Sequence, residues 1–305
     1  MSLKTGAIGN ARIMISVVIP LFNKQDSIES TINSVLAQIY GDFELIVVDD
    51  GSTDRSADIV RQYDDPRIKL LEKKNSGVSS ARNEGIKFAE AEYIAFLDGD
   101  DLWDPEYLET ISQMIKDFPE AGILGTSYSL LKNGEMVPAQ KPFTDDFYGY
   151  VDNCNWAYGQ IFWTSAVCCK RSALIEIGVF DERIAYGEDL DVWWRIMLKY
   201  PIAFCNKALA TYRLDEGNRA MSKHIPLEKM YIYYYEKYTS ARRGNDAFRH
   251  FIDKECMWWL FPYALKDRNN PDVKRILGQI DLREYKPSFW FRFRFPKLYN
   301  MIKSR

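Results

Sequence analysis

The chain lacks any long apolar run: none of its 305 residues falls in a stretch near the roughly 18–20 apolar residues that a membrane span needs. It also lacks a basic excess. A formal net charge of −3 gives no electrostatic support to a general nucleic-acid role. Its five cysteines (Cys154, Cys168, Cys169, Cys205, Cys256) are odd in number and show no CxxC spacing. They read as reduced thiols of a cytoplasmic protein rather than a disulfide framework or a zinc site. The first dozen residues, MSLKTGAIGNAR, have no apolar centre of the kind a signal peptide carries, and are expected to be a flexible leader. Internal repeats and low-complexity tracts are absent too.

What is present is an alternation. Ile13–Leu21 reads as a buried β-branched strand, followed by a helix capped by Asp26 with apolar positions Ile28, Ile32, Val35, Leu36 and Ile39. Phe43–Val48, Arg67–Leu71 and Glu92–Leu97 read as three further strands. Between them lie a helix from Thr53 or Asp54 to about Gln62, and one over Gly77–Glu90 capped by Ser76. Such alternation implies a parallel sheet flanked by helices, with ligands bound beyond the carboxyl ends of the strands. Beyond residue 120 the pattern loosens: strands are expected at Ile123–Leu131 and Gln160–Cys168, and a helix at Glu188–Tyr200.

The unusual residues sit at those strand ends. In AFLDGDDLWDP (95–105), Asp98, Asp100, Asp101 and Asp104 follow directly on an apolar run, and such crowding calls for a neutralising cation. Asp98 and Asp100, spaced by Gly99, can bind a hard divalent cation that completes its shell with substrate phosphates. The simpler reading is an acidic turn capping the next helix. An EF-hand is excluded, because its obligatory glycine position is Trp103 and Pro105 interrupts the loop. Asp49-Asp50-Gly51-Ser52 can bind a base or ribose, or merely cap a helix. Arg82 can pair with a phosphate or with the acidic turn. Glu188 and Asp189 open a helix, where either can be a general base or a dipole cap. His224 is a weak candidate ligand, and His250 reads as structural.

Taken together, VVIPLFNK (17–24), ELIVVDDGSTD (44–54), NSGVSSARNEGI (75–86), FLDGDD (96–101) and YGEDLDVWWR (186–195) resemble the successive motifs of inverting family 2 glycosyltransferases. The resemblance covers roughly Ile13–Leu214. It implies an α/β fold of the GT-A (nucleotide-diphospho-sugar transferase) type, a mainly parallel Rossmann-like sheet flanked by helices. Residues 13–215 would form the catalytic domain, with a nucleotide-binding half (13–101) and an acceptor half (102–215). Residues 216–305 would be a helical, basic-aromatic extension.

By the same resemblance, Pro20, Phe22 and Asp50 would line the base pocket and Arg82 would lie beside the nucleotide. Asp98 would contact the ribose or assist the metal, and Asp100 would be the principal ligand of Mn²⁺ or Mg²⁺, with His224 a further candidate ligand. Asp189, with Glu188 as second choice, would deprotonate an acceptor hydroxyl. The implied partners are a nucleotide-sugar donor, UDP-linked by expectation, and a glycan or lipid-linked acceptor.

Two rival readings have less support. A nucleotidyltransferase would carry a glycine-rich, basic first loop, which Leu21-Phe22-Asn23-Lys24-Gln25 is not. A non-catalytic relative would have no need of Asp98, Asp100 and Asp189. The tail FWFRFRFPKLYNMIKSR (289–305) holds five basic residues and no acidic one. It suits peripheral contact with the inner face of an anionic membrane, or packing of its aromatics on the domain with Arg292 and Arg294 outward. Trp156, Tyr158 and Trp163 are candidates for stacking on a sugar.

Overall fold

The computed structural model describes residues 13–139, 143–151, 161–214, 225–267 and 269–303. The first strand, β1 (Ile15–Leu21), is buried along its length, as its β-branched run requires. It is followed by α1 (Ile28–Leu36), β2 (Phe43–Asp49), α2 (Ser56–Val60), β3 (Ile68–Glu72), α3 (Val78–Phe88) and β4 (Tyr93–Phe96). These four strands are all parallel, in the order β3-β2-β1-β4.

The second half runs β5 (Leu102–Trp103), α4 (Tyr107–Asp117), β6 (Ile123–Lys132), β7 (Glu135–Pro138), β8 (Tyr148–Val151), β9 (Val167–Lys170), α5 (Arg171–Glu176), α6 (Glu188–Met197) and β10 (Ile202–Arg213). Here the sheet becomes mixed. β9 runs antiparallel to both β4 and β6, and so joins the parallel half to a parallel β6–β10 pair. Residues of β1 alternate between two apolar layers: Ile15, Val17 and Ile19 pack with α1 and α4, and Val18 packs with α3 and α6.

Several local expectations need correction. Asp26 does not cap α1. Ser27 holds that position, and its hydroxyl donates to the Gly99 carbonyl (3.0 Å) and accepts no amide of its own helix. Ile39 lies beyond α1 and is exposed, since the helix ends at Leu36. The second helix begins only at Ser56, whose amide the Asp54 carboxylate accepts (2.9 Å). Ser76 does not cap α3; the preceding Gly77 is left-handed (φ 98°), and Asp50 takes the amides of both residues. The strand expected at Gln160–Cys168 starts at Val167, because Thr164–Ala166 form a 3₁₀ turn. The last helix of this half stops at Met197, short of the expected Tyr200, just before Pro201.

The C-terminal helices are α7 (Thr239–Gly244), α8 (Asp246–Lys266), α9 (Pro271–Leu277), α10 (Pro287–Arg294) and α11 (Pro296–Lys303). They share one apolar core with α3 and α6, where Trp194 packs on Tyr231, Tyr238 and Phe251. Buried Asp191 of α6 is held by Arg195, Lys237 and the Tyr238 hydroxyl. This ties α6 to the extension by charge as well as by packing.

Candidate active site

Three strand-end loops meet beyond β1, β2 and β4, and short hydrogen bonds latch them together. The Asn23 amide donates to Ser52 Oγ (3.0 Å), the Lys24 amide to Ser56 Oγ (2.7 Å), and the Thr53 amide to Asn23 Oδ1 (2.8 Å). The acidic turn is pinned from below by α1. Thr31 Oγ1 donates to the carbonyls of Gly99 (3.2 Å) and Asp101 (2.9 Å). The side chains of Asp98 and Asp100 are therefore presented by a fixed backbone.

Each of these carboxylates already meets a cation. Asp100 pairs with the Lys24 ammonium from the β1 loop, a partner that sequence reasoning missed. Asp98 Oδ1 accepts from Arg82 Nη2 at 2.7 Å. Arg82 reaches further: its Nη1 donates to Glu188 Oε1 at 2.8 Å. This guanidinium is only 3% exposed and lies 5.4 Å from the Phe180 ring centroid. Burial alone would lower its pKa, but the Asp98, Glu188 and Asp189 charges outweigh burial and raise it, so it is a permanent cation.

Asp189 is positioned by a different element. Its Oδ2 accepts from Thr164 Oγ1 (2.9 Å) in the 3₁₀ turn, and its Oδ1 from the Leu190 amide (2.8 Å). The neighbouring Glu188 carboxyl is raised by burial and by the Asp189 charge, with Arg82 opposing. Both carboxylates follow Gly187, which has φ 73° and where any side chain would collide with the Tyr231 ring. Two independent requirements thus specify glycine before the acidic pair.

Asp101, to which sequence reasoning gave no separate role, turns inward. It accepts from Ser165 Oγ, Trp163 Nε1 (3.0 Å) and the Arg213 amide (3.3 Å). Burial, then the Asp98 and Asp100 charges, push its carboxyl up to about 8 against those donors. Trp163 packs on Tyr212 with ring centroids 4.1 Å apart and planes tilted by 34°, so its indole is part of the wall that holds Asp101.

The nucleotide-side residues are arranged differently. Asp50 is buried and accepts from Lys73 Nζ (2.7 Å), the Ser76 amide (3.0 Å) and the Gly77 amide (2.7 Å). Pro20 is half-buried, and Phe22 is 42% exposed at the loop surface. The structure thus links Arg82, Asp98 and Glu188 directly, with Asp189 adjacent in sequence to Glu188, and holds Asp100 on the same turn as Asp98. His224, Trp156 and Tyr158 lie outside the described residues. His250 sits on α8 beside the Asp246 carbonyl and 5.7 Å from the Tyr285 ring.

Comparison with known proteins decides the family. The model of the family described as Glycosyl transferase family 2 matches residues 16–184. The chain belongs to that family. It is a glycosyltransferase. It is 46% identical over 301 residues to the uncharacterized glycosyltransferase EpsJ of Bacillus subtilis, covering 88% of this chain and 83% of that one. It is 28% identical over 224 residues to the Escherichia coli UDP-Glc:alpha-D-GlcNAc-diphosphoundecaprenol beta-1,3-glucosyltransferase WfgD, covering 72% of this chain and 84% of WfgD. Among solved structures, S. aureus TarS 1–349 in complex with UDP-GlcNAc superposes with a TM-score of 0.68 at 22% identity. That match covers 92% of this chain and 79% of the other, and it shows the GT-A fold. The family match ends at residue 184, just before the acidic pair, so Glu188 and Asp189 rest on the geometry above.

Proposed function

We propose that this glycosyltransferase moves a sugar from a UDP-sugar to a hydroxyl of a glycan or lipid-linked acceptor, with inversion, in cell-envelope or polysaccharide synthesis. The observation that carries the reading is the Arg82 bridge, which joins the strand-end carboxylate Asp98 to the acidic pair at the start of α6. It brings a donor-side group and an acceptor-side group into one rigid cluster, as a single-displacement reaction requires. The WfgD name supports the donor nucleotide and the lipid-diphosphate acceptor.

Asp189 is the base in this reading. Thr164 and the Leu190 amide orient its carboxylate, and it accepts the acceptor hydroxyl's proton as that oxygen attacks the anomeric carbon. Glu188 is engaged with Arg82 and is the less available of the two. Pro20 and Phe22 line the base pocket, and Asp50 meets the base once the Lys73 loop yields one of its bonds.

The Asp98–Asp100 pair fits a hard divalent cation, Mn²⁺ or Mg²⁺: the donors are all oxygen, and Asp100 already holds a cationic group, Lys24. Such an ion would neutralise the diphosphate leaving group. Asp100 would be its principal ligand, with Asp98 beside it. The test is release of UDP from a panel of UDP-sugars in the presence of Mn²⁺. Release that disappears in Asp100→Ala supports the reading, and silence across the whole panel contradicts it.

A further inference from the structure

We propose that the chain docks on an anionic lipid bilayer through the outer face of α10 and α11, an inference that extends the lipid-linked acceptor reading above. The face is apolar without being part of the fold's core. Trp290, Phe295, Leu298, Met301 and Ile302 are 49%, 42%, 43%, 53% and 58% exposed. Leu298 and Ile302, four residues apart on α11, lie on one side of that helix, with Phe295 at the junction that precedes it. Trp290 lies against Phe295, with ring centroids 6.3 Å apart.

The side of α11 that packs inward is a different one. Tyr299 meets Phe261 of α8 at 5.6 Å, and Phe293 meets the same ring at 6.1 Å. Arg292 corrects the expectation that it faces outward. It is buried, with its guanidinium 3.9 Å over Phe261 and burial lowering its pKa. Folding is thus satisfied by Tyr299, Phe293 and Arg292, and the exposed stripe is left over.

Charge selects the occupant. Residues 286–303 carry five basic side chains and no acidic one. Lys286, Arg294, Lys297 and Lys303 are exposed around the stripe. A second copy of the chain would bring two such basic segments face to face. An anionic bilayer neutralises the charge and takes up the aromatic and aliphatic side chains together. Among the described residues no helix is long and apolar enough to cross a membrane.

The helix that carries this face is also linked through α8 to the segment before the acidic pair. One turn of α8 serves both: Trp259 packs on Tyr186 (5.5 Å), which immediately precedes Gly187 and the acidic pair, while Phe261 holds α11.

The test is flotation of the full chain with phosphatidylcholine vesicles, with and without phosphatidylglycerol. Two variants accompany it, Leu298→Glu/Ile302→Glu and Lys297→Gln/Lys303→Gln, both checked for unchanged helicity and UDP binding. The expected result is flotation that needs phosphatidylglycerol, weakens with salt, and drops about tenfold in each variant. Equal flotation of wild type and variants overturns the proposal, as does no flotation at all. A concentration-dependent dimer that the Leu298→Glu/Ile302→Glu variant abolishes, without flotation, overturns it in favour of a second copy. Because UDP binding is read separately, loss of docking and loss of the donor reading are distinguishable.

Discussion

Arg82 and Glu188 stand 106 residues apart in sequence and meet at 2.8 Å, and the same guanidinium holds Asp98 at 2.7 Å. One buried cation therefore fixes the spacing between the strand-end turn and the start of α6. Replacing it with a neutral group leaves two largely desolvated carboxylates facing each other. Arg82→Met is expected to cost about 3–5 kcal/mol in stability by urea unfolding. A cost near zero would mean that the bridge is dispensable.

Asp189→Asn keeps the side-chain shape and the bond from Thr164 while removing the proton acceptor. Transfer to an acceptor is expected to fall by roughly 10²–10⁴-fold, with the dissociation constant for UDP unchanged. If Glu188→Gln has the larger effect on turnover at equal stability, the two roles are reversed.

The Thr164 hydroxyl donates to Asp189, and on this account it acts through that carboxylate. Thr164→Val removes one hydrogen bond, worth about 1 kcal/mol, so kcat is expected to fall about fivefold with the donor KM unmoved. A change in donor KM alone would place Thr164 on the nucleotide side instead.

Acid stability should trace to Glu44, far from the reacting groups. Burial raises its carboxyl, but hydrogen bonds from Ser16, Lys69 and the Glu90 amide (2.8 Å) outweigh burial and leave it below the ordinary 4.5. The unfolded chain then binds this proton more readily. The stabilisation is present above about pH 5 and is lost as pH falls through the depressed folded value. In Glu44→Gln, stability should vary less steeply with pH between about pH 5 and 3 than in the parent, measured by urea midpoint. Identical slopes would remove Glu44 from the account.

What the sequence made legible followed from periodicity and position. β-branched runs ending in polar clusters located β1, β2 and β4, and with them the convergence of three loops. Partners across the fold were not legible, because a side chain's long-range neighbour leaves no periodic signal. Lys24 gave no hint of Asp100, nor Thr164 of Asp189. Asp101 could not be told from Asp98 and Asp100 by composition, although it is buried and they are partly exposed. Arg292 was misplaced for a similar reason: a charged residue among aromatics reads as exposed, and only the tertiary fold reveals the ring of Phe261 beneath it. The expected caps failed by position: Ser27, not Asp26, stands at the start of α1, and Gly77, not Ser76, at the start of α3.

Titration of UDP into the purified protein, first with Mn²⁺ and then with EDTA, tests the central claim most directly. The account predicts binding that depends on the metal and disappears in Asp100→Ala, with the variant's fold intact. Binding equally strong in EDTA, or unchanged by Asp100→Ala, would contradict it.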